Sequence, residues 1–383
     1  MIRIFLTADN HIGIRYKSHA KPEALASLRT EAFEGMVKTA EDERCDMLVI
    51  AGDMFDNTYL IRKAEVAAVF KILSGFSGQI LLLPGNHDFI SASERSGADL
   101  WDYIRSEAKN LNNMTLLTEE MPYTFEIREE TAVVYPAICR SKHSAPGENA
   151  LGWIKATTVD KAPGTYHVGV AHGAVEGETI DSEGRYYLMG RKELLDIPMD
   201  AWLLGHTHVP FPKLDTSAFT TGERIFNPGT HVQTDVACNT EGNCFLLELD
   251  GSEVRAKRVE TGNIRFYRLK VDATAGKADS LKAAVEDAVS PIGKDAVVDV
   301  ILQGAVSGDD YENRDAIIED VLSAHSFFEA TYDGAGLTRR VTRESVLSEY
   351  PESSFSGRLL IDLLENEKAA QMAYDMLREI AVT

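Results

Sequence analysis

The amino-acid sequence predicts an α/β fold followed by a second, smaller α/β unit, and three observations carry that expectation. Nearly continuous apolar runs of strand length, at 2–6, 47–51, 80–83, 132–135, 167–171 and 201–204, recur with helical segments between them. Several of these runs stop at Gly, Asp, Asn or His, the residue types expected where chemistry sits at the C-terminal ends of strands. Beyond them, Asp250-Gly251 separates apolar segments 245–249 and 254–259, a hairpin signal that closes the first unit with antiparallel strands.

The elements follow in chain order from their residues. The early runs lack the polar-apolar alternation of half-solvated strands, so they read as strands buried on both faces. Segments 23–41 and 63–73 space Phe33, Met36 and Val37, and Val66, Phe70 and Ile72, three and four apart, as covering helices do. After the hairpin, 264–271 leads into helix 279–289, strand 296–302, helix 313–324 and strand 327–332. The last stretch, 355–380, forms two amphipathic helices carrying Leu359, Leu360, Leu363, Leu364, Met372, Met376 and Leu377, for which core packing is favoured over an exposed groove. Three segments are expected: 1–262, 263–342 as a cap, and a helical 343–383.

Composition narrows the class. With 383 residues, 44% of them hydrophobic and 26% charged, the chain has the make-up of a globular enzyme rather than a disordered or fibrous one. The first six residues are too short an apolar run for a secretion signal, and Cys45, Cys139, Cys238 and Cys244 form no Cys-x-x-Cys pair, so a reducing cytoplasm is the expected location. Net charge is −21. Residues 271–383 hold 22 acidic against 10 basic side chains, a net of −12, leaving −9 for the first 270. That balance argues against a free-standing nucleic-acid clamp, but not against an enzyme that grips phosphates through metal ions.

The chemistry-bearing residues sit at or just past strand ends: Asp9-Asn10-His11, Gly52-Asp53-Met54-Phe55-Asp56, Gly85-Asn86-His87-Asp88, His172, and Gly205-His206-Thr207-His208. Singly these are ordinary turn residues. Together they supply carboxylates, an amide and imidazoles, the donors of borderline-hard divalent cations, in the number that two ions sharing a carboxylate require. Such a pair polarises a phosphoryl oxygen, activates water and braces both ends of an in-line displacement. His19, His143, His167, His231 and His325 lie outside these motifs and read as structural or solvated.

These five blocks, in this order, resemble the signature of the calcineurin-like metallophosphoesterases over about residues 1–260. The resemblance implies a sandwich of two mixed sheets flanked by helices. It implies Asp9, His11, Asp53 and His208 as ligands of one metal and Asp53, Asn86, His172 and His206 as ligands of the other, with Asp53 bridging. It also implies His87 as the catalytic histidine that protonates the leaving oxygen, and Asp56 as a carboxylate hydrogen-bonded to it. Arg62 and Lys63, just beyond, are candidate phosphate contacts, and a solvated helix start accounts for them equally well.

Within that superfamily the chain is similar to the SbcD branch of DNA-repair exonucleases, through His11-Ile12-Gly13, Glu31-Ala32-Phe33, Gly-Asp-Met-Phe-Asp, the long approach 184–195 to Gly-His-Thr-His, and a small cap after the main domain. The expectation is therefore a DNA exonuclease and endonuclease. It would use two divalent ions, manganese first, with iron, zinc and magnesium as the other candidates. Partners implied are DNA, an SbcC-like SMC-type ATPase and a second copy of the chain, with no membrane. The competing expectations are a small-molecule phosphodiesterase, acting on cyclic nucleotides or nucleotide-linked lipids, and an inactive metal-binding scaffold.

Overall fold

The computed structural model describes residues 1–90, 100–178, 181, 183–238, 240–274 and 280–382. The chain divides into two compact units, Met1–Arg265 and Phe266–Thr383. The first begins with β1 (Ile2–Thr7), α1 (Pro22–Asp42), β2 (Met47–Ala51), α2 (Lys63–Leu73), β3 (Gln79–Leu83), α3 (Leu100–Ala108) and β4 (Met114–Leu116). It continues through β5 (Tyr123–Ile127), β6 (Glu130–Ala137), α4 (Gly152–Ala156), β7 (Thr165–His172), α5 (Arg191–Asp196) and β8 (Ala201–Gly205), and ends with β9 (Thr220–Thr221), β10 (Ile225–Phe226), β11 (Asn243–Asp250) and β12 (Glu253–Glu260).

These strands form two mixed sheets, ordered β4-β3-β2-β1-β11-β12-β9 and β10-β8-β7-β6-β5. Strands β1, β2 and β3 run parallel, as do β6, β7 and β8. The β11–β12 hairpin turns at Gly251, whose φ of +61° is one that glycine adopts without penalty, and β11 then lies antiparallel to β1 in the middle of its sheet. Ile4, Leu48, Leu81 and Leu246 of the first sheet share one core with Val134, Val168 and Leu203 of the second, which makes the pair a sandwich. Phe33, Met36, Val66 and Phe70 of α1 and α2 pack on the same core, at the spacing that predicted them. Pro22 starts α1, where its missing N–H costs nothing.

The second unit comprises β13 (Arg265–Asp272), α6 (Leu281–Val289), β14 (Ala296–Val306), α7 (Gly308–Glu312), α8 (Arg314–Ala324), β15 (Glu329–Arg339), α9 (Arg343–Glu349), α10 (Phe355–Leu363) and α11 (Glu367–Val382). Its three-stranded sheet is ordered β13-β14-β15, with β14 and β15 parallel and each several residues longer than expected from sequence. Residue 279, where a helix was expected to begin, lies outside the described residues; Ser280 caps α6 by accepting the Ala283 N–H. The C-terminal helices are core only in part. Leu360 and Tyr374 cluster with Val346, whereas Met372 and Met376 are 59% and 63% exposed, contrary to the core packing expected for them. No helix among the described residues is long and apolar enough to cross a membrane.

Candidate metal centre

Because β1, β2 and β3 run parallel in one sheet and β7 and β8 run parallel in the other, their C-terminal ends open on one side of the sandwich. The loops after β1 and β2 are tied together by Asp9 N–H to Gly52 O (3.1 Å), His11 N–H to Asp53 O (2.9 Å) and Ile12 N–H to Met54 O (2.9 Å). Asp9, His11 and Asp53 adopt left-handed backbone conformations, with φ of +51°, +44° and +52°. Such strain at non-glycine residues persists only where surrounding contacts over-determine it, as at functional sites. Glycines admit the close approach: a β-carbon on Gly52 would fall 2.2 Å from His172 Nδ1, and one on Gly85 would fall 2.2 Å from Asp53 Oδ1.

Three overlapping groups of donor atoms result, Asp9 with His11 and His208, His11 with Asp53 and His87, and Asp9 with Asp53 and His172, the atoms of each lying within 4.8 Å of one another. Asp9, His11, Asp53, Asn86 and His172 are all buried. His172 donates Nδ1–H to the Ala51 carbonyl (2.8 Å), which turns its Nε2 toward Asn86 Oδ1 (3.0 Å) and Asp53 Oδ2 (3.3 Å). His206 Nδ1 lies 2.9 Å from the same Asn86 oxygen, and its backbone N–H donates to the Asp9 carboxylate. His11 Nε2 and His208 Nε2 face each other across 3.1 Å. Imidazole nitrogens meeting each other and an amide oxygen, beside two buried carboxylates, form a donor set that fits divalent cations.

The electrostatics follow from burial and mutual proximity. Burial pushes Asp9 well above the usual carboxylate range. The same burial acts on Asp53, but the charge and hydrogen bond of His172 outweigh it and hold this carboxyl well below that range. His172 is desolvated too, yet Asp53 raises it to about 9. Burial, then the His172 charge, lowers His206 to about 4; burial, then His11, lowers His208 to about 3. Burial also lowers His11. At neutral pH three of the four imidazoles are therefore ready to bind a cation, and the fourth holds a proton against Asp53.

The structure brings Asp9, His11, Asp53, Asn86, His172, His206 and His208 together, with His87 and Asp56 beside them. The expected hydrogen bond between the Asp56 carboxylate and His87 is not made. His87 Nδ1–H donates to the Asp56 backbone carbonyl (2.9 Å), and the Asp56 carboxylate lies 3.4 Å from His11 Nδ1, at ion-pair range without hydrogen-bond alignment. Arg62 precedes α2 and Lys63 begins it; both are exposed, and neither is drawn into the donor cluster. The four cysteines are buried and free.

Asp88 belongs to one of the sequence motifs but carried no assigned role there, and Tyr186 and Arg29 lay outside those motifs. Asp88 accepts N–H bonds from Phe55 (3.0 Å) and Gly85 (2.7 Å) and so clamps the loops that carry Asp53 and Asn86, while burial, then Asp53, raises it to about 6. Tyr186 stacks on His206 with ring centroids 5.0 Å apart. Arg29 is buried at 1% exposure on the apolar stripe of α1, and its signal was a cation where the helical period calls for a hydrophobe.

A family model described as calcineurin-like phosphoesterase matches residues 2–210. An uncharacterized metallophosphoesterase, YhaO of Bacillus subtilis (strain 168), is 24% identical over 310 residues, covering 78% of this chain and 70% of the relative. Among solved structures, TT1561 of Thermus thermophilus aligns with a TM-score of 0.40 at 16% identity, over 67% of this chain and 97% of that one. Purple acid phosphatase PPD1 from yellow lupin (Lupinus luteus) seeds aligns with a TM-score of 0.40 at 11% identity, over 68% and 51%.

Proposed function

Because the chain belongs to the calcineurin-like phosphoesterase family, we propose that it is a two-metal phosphodiesterase whose substrate is DNA, a manganese-dependent exonuclease and endonuclease of the SbcD type acting in DNA repair. The observation that carries the hydrolase reading is the convergence of Asp9, His11, Asp53, His172 and His208 donor atoms at the mouths of both sheets. The DNA reading rests on the residues that resemble SbcD, namely His11-Ile12-Gly13, Glu31-Ala32-Phe33 and the 184–195 approach, and on a second α/β unit after the first.

In this reading Asp9, His11, Asp53 and His208 hold one divalent ion, and Asp53, Asn86, His172 and His206 hold the other. Bound there, the ions supply Lewis-acid polarisation of the phosphoryl group and activation of water. The protein orients and transfers protons. Asp53 Oδ1 accepts the His87 backbone N–H (2.7 Å), so the carboxylate between the two positions also fixes the general acid. With Nδ1–H held by Asp56 O, His87 acts as the imidazolium: it presents Nε2–H to the departing oxygen, gives that proton up to it and is left as the neutral ring with its proton on Nδ1. The exposed residues Met372, Met376 and Ile380, four apart on α11, support docking of an SbcC-like ATPase, and the same reading includes a homodimer and a cytoplasmic location.

The test is a substrate panel with manganese and with chelator: single-stranded DNA, duplex ends, bis-p-nitrophenyl phosphate and cyclic AMP. Metal-dependent cleavage of DNA and of the model diester is expected. Turnover of cyclic AMP without cleavage of DNA would assign a small-molecule phosphodiesterase, which the net charge of −21 would suit. No turnover of any member would leave a metal-binding scaffold.

A further inference from the structure

We propose that Arg29, closed into a circuit with Asn10 and His231, is a positioning residue that builds one of the two metal positions, the one served by Asp9, His11 and His208. The inference rests on the two-metal reading above and concerns what holds its most strained loop in place.

Arg29 belongs to the buried face of α1, with Leu25 one turn before it and Phe33 one turn after. Its guanidinium donates through Nε to Asn10 O (2.6 Å), through Nη2 to Asp9 O (3.2 Å) and Thr230 Oγ1 (3.0 Å), and through Nη1 to Val232 O (3.3 Å) and Tyr16 OH (3.4 Å). Among the described residues no carboxylate lies within ion-pair distance of it. A buried cation whose direct hydrogen-bond partners are all neutral oxygens, with the Asp9 and Asp56 carboxylates acting on it only from beyond ion-pair distance, is costly to fold around, and a hydrophobe would fill the same stripe more simply. What the guanidinium does that a hydrophobe cannot is grip two successive carbonyls of the Asp9-Asn10-His11 loop, in which Asp9 and His11 have positive φ.

A closed ring of hydrogen bonds fixes the grip. Arg29 Nε–H donates to Asn10 O; Asn10 Nδ2 donates to His231 Nδ1 (3.1 Å); His231 Nε2–H donates to Arg29 O (3.1 Å). A carbonyl only accepts, so Nε2 of His231 must carry the proton and Nδ1 must receive Asn10. All three residues are at most 1% exposed, and burial followed by the Arg29 charge keeps His231 neutral. The ring ties the loop after β1 to α1 and to segment 230–232, which itself bridges to Ala8 through Thr230. None of the hydrogen bonds described for Arg29, Asn10 and His231 goes to Asn86, His172 or His206, and the ring meets those residues only through Asp9, so its effect falls first on the position served by Asp9, His11 and His208.

Lysine in place of Arg29 keeps the charge but presents a single point donor in place of the fork. The full-length protein, as wild type and as Arg29→Lys, Arg29→Met and His231→Gln, is titrated with manganese, and free ion is followed by electron paramagnetic resonance. Two bound ions in the wild type establish the underlying reading; fewer would overturn that reading rather than this one. Given two, Arg29→Lys and Arg29→Met are expected to weaken one binding event by about 10- to 100-fold, the usual effect of removing an outer partner of metal ligands, and to leave the other unchanged. His231→Gln, which opens the ring while leaving the cation in place, is expected to give the same selective loss at smaller size, and it decides alone if the Arg29 variants do not unfold cooperatively. In an Asp9→Asn background, where that position is already lost, Arg29→Lys is expected to change nothing further. Equal weakening of both ions, or of neither, would overturn the proposal and return Arg29 to the core.

Discussion

Gly85→Ala tests the placement of the Asp53 carboxylate with one added methyl group. A β-carbon on Gly85 would stand 2.2 Å from Asp53 Oδ1 and 2.3 Å from the Asp53 backbone nitrogen, where ordinary contact begins at 3.4 Å. One of the opposing atoms is backbone, so a change of rotamer cannot relieve the overlap, and the loop bearing Asp53 must move by about 1 Å. Overpacking of this kind costs about 1–3 kcal/mol, which a domain of this size survives. The catalytic cost is larger, since about 1 Å of misplacement in a preorganised site lowers rate by about 10²-fold. Asp53 Oδ1 also holds the His87 N–H, so the proposed ligand and the proposed general acid shift together. Hydrolysis of bis-p-nitrophenyl phosphate should fall by about 10² or more, while thermal unfolding stays cooperative. Gly35→Ala is the control: that glycine lies on the exposed face of α1 with nothing within 4 Å of its added carbon. It should gain about 0.5–1 kcal/mol and leave the rate unchanged. If Gly85→Ala hydrolysed the diester within threefold of wild type, the placement of Asp53 at the centre of the chemistry would be wrong.

Further outcomes follow from the same site and from the exposed face of α11. His87→Ala should lower turnover by about 10² to 10⁴ and leave manganese stoichiometry intact; loss of metal would contradict its separation from the ligands. Manganese affinity should rise between pH 7 and pH 9, because His172, held at about 9 by Asp53, must release its proton to bind, whereas His206 at about 4 and His208 at about 3 have none to lose there. For the metal-free fold the signs are opposed. The raised His172 contributes stability in full below its unfolded pKa of about 6.5 and loses it as pH climbs through about 9, while the lowered His206 and His208 cost stability as pH falls below about 6.5. Calorimetry across pH 5 to 9 would expose a flat affinity profile, which would refute the His172 assignment. Met372→Glu with Met376→Glu should spare diester hydrolysis and abolish pull-down of an SbcC-like ATPase, since both side chains are exposed on α11; undiminished association would remove that face from the interface.

What the sequence disclosed and what it withheld divide along a physical line. The convergence of residues at strand ends was legible because a parallel sheet presents its C-terminal ends at fixed places, and the side chains there are of metal-donor type: Asp9, Asp53, Asn86, His172 and His206 all sit within three residues of a strand end. The long buried strands were legible for a related reason, since five consecutive apolar residues in β2 admit little else. Two-residue strands such as β9 and β10 carry no pattern to read, and they exist only because neighbours supply their partners.

Side-chain pairing within the site depended on backbone turns that composition does not encode. Asp56 follows Asp53 by three residues, but Asp53 sits at φ +52°, and the chain beyond it directs the Asp56 carbonyl rather than its carboxylate to His87. The carboxylate is left beside His11, a ligand candidate, where it favours the orientation that aims Nε2 at His208. A carboxylate in the expected neighbourhood has thus changed partners. Its removal should disturb the metal position served by His11 before it disturbs proton delivery by His87, since the bond that orients His87 belongs to the backbone and survives any substitution that keeps the loop in place.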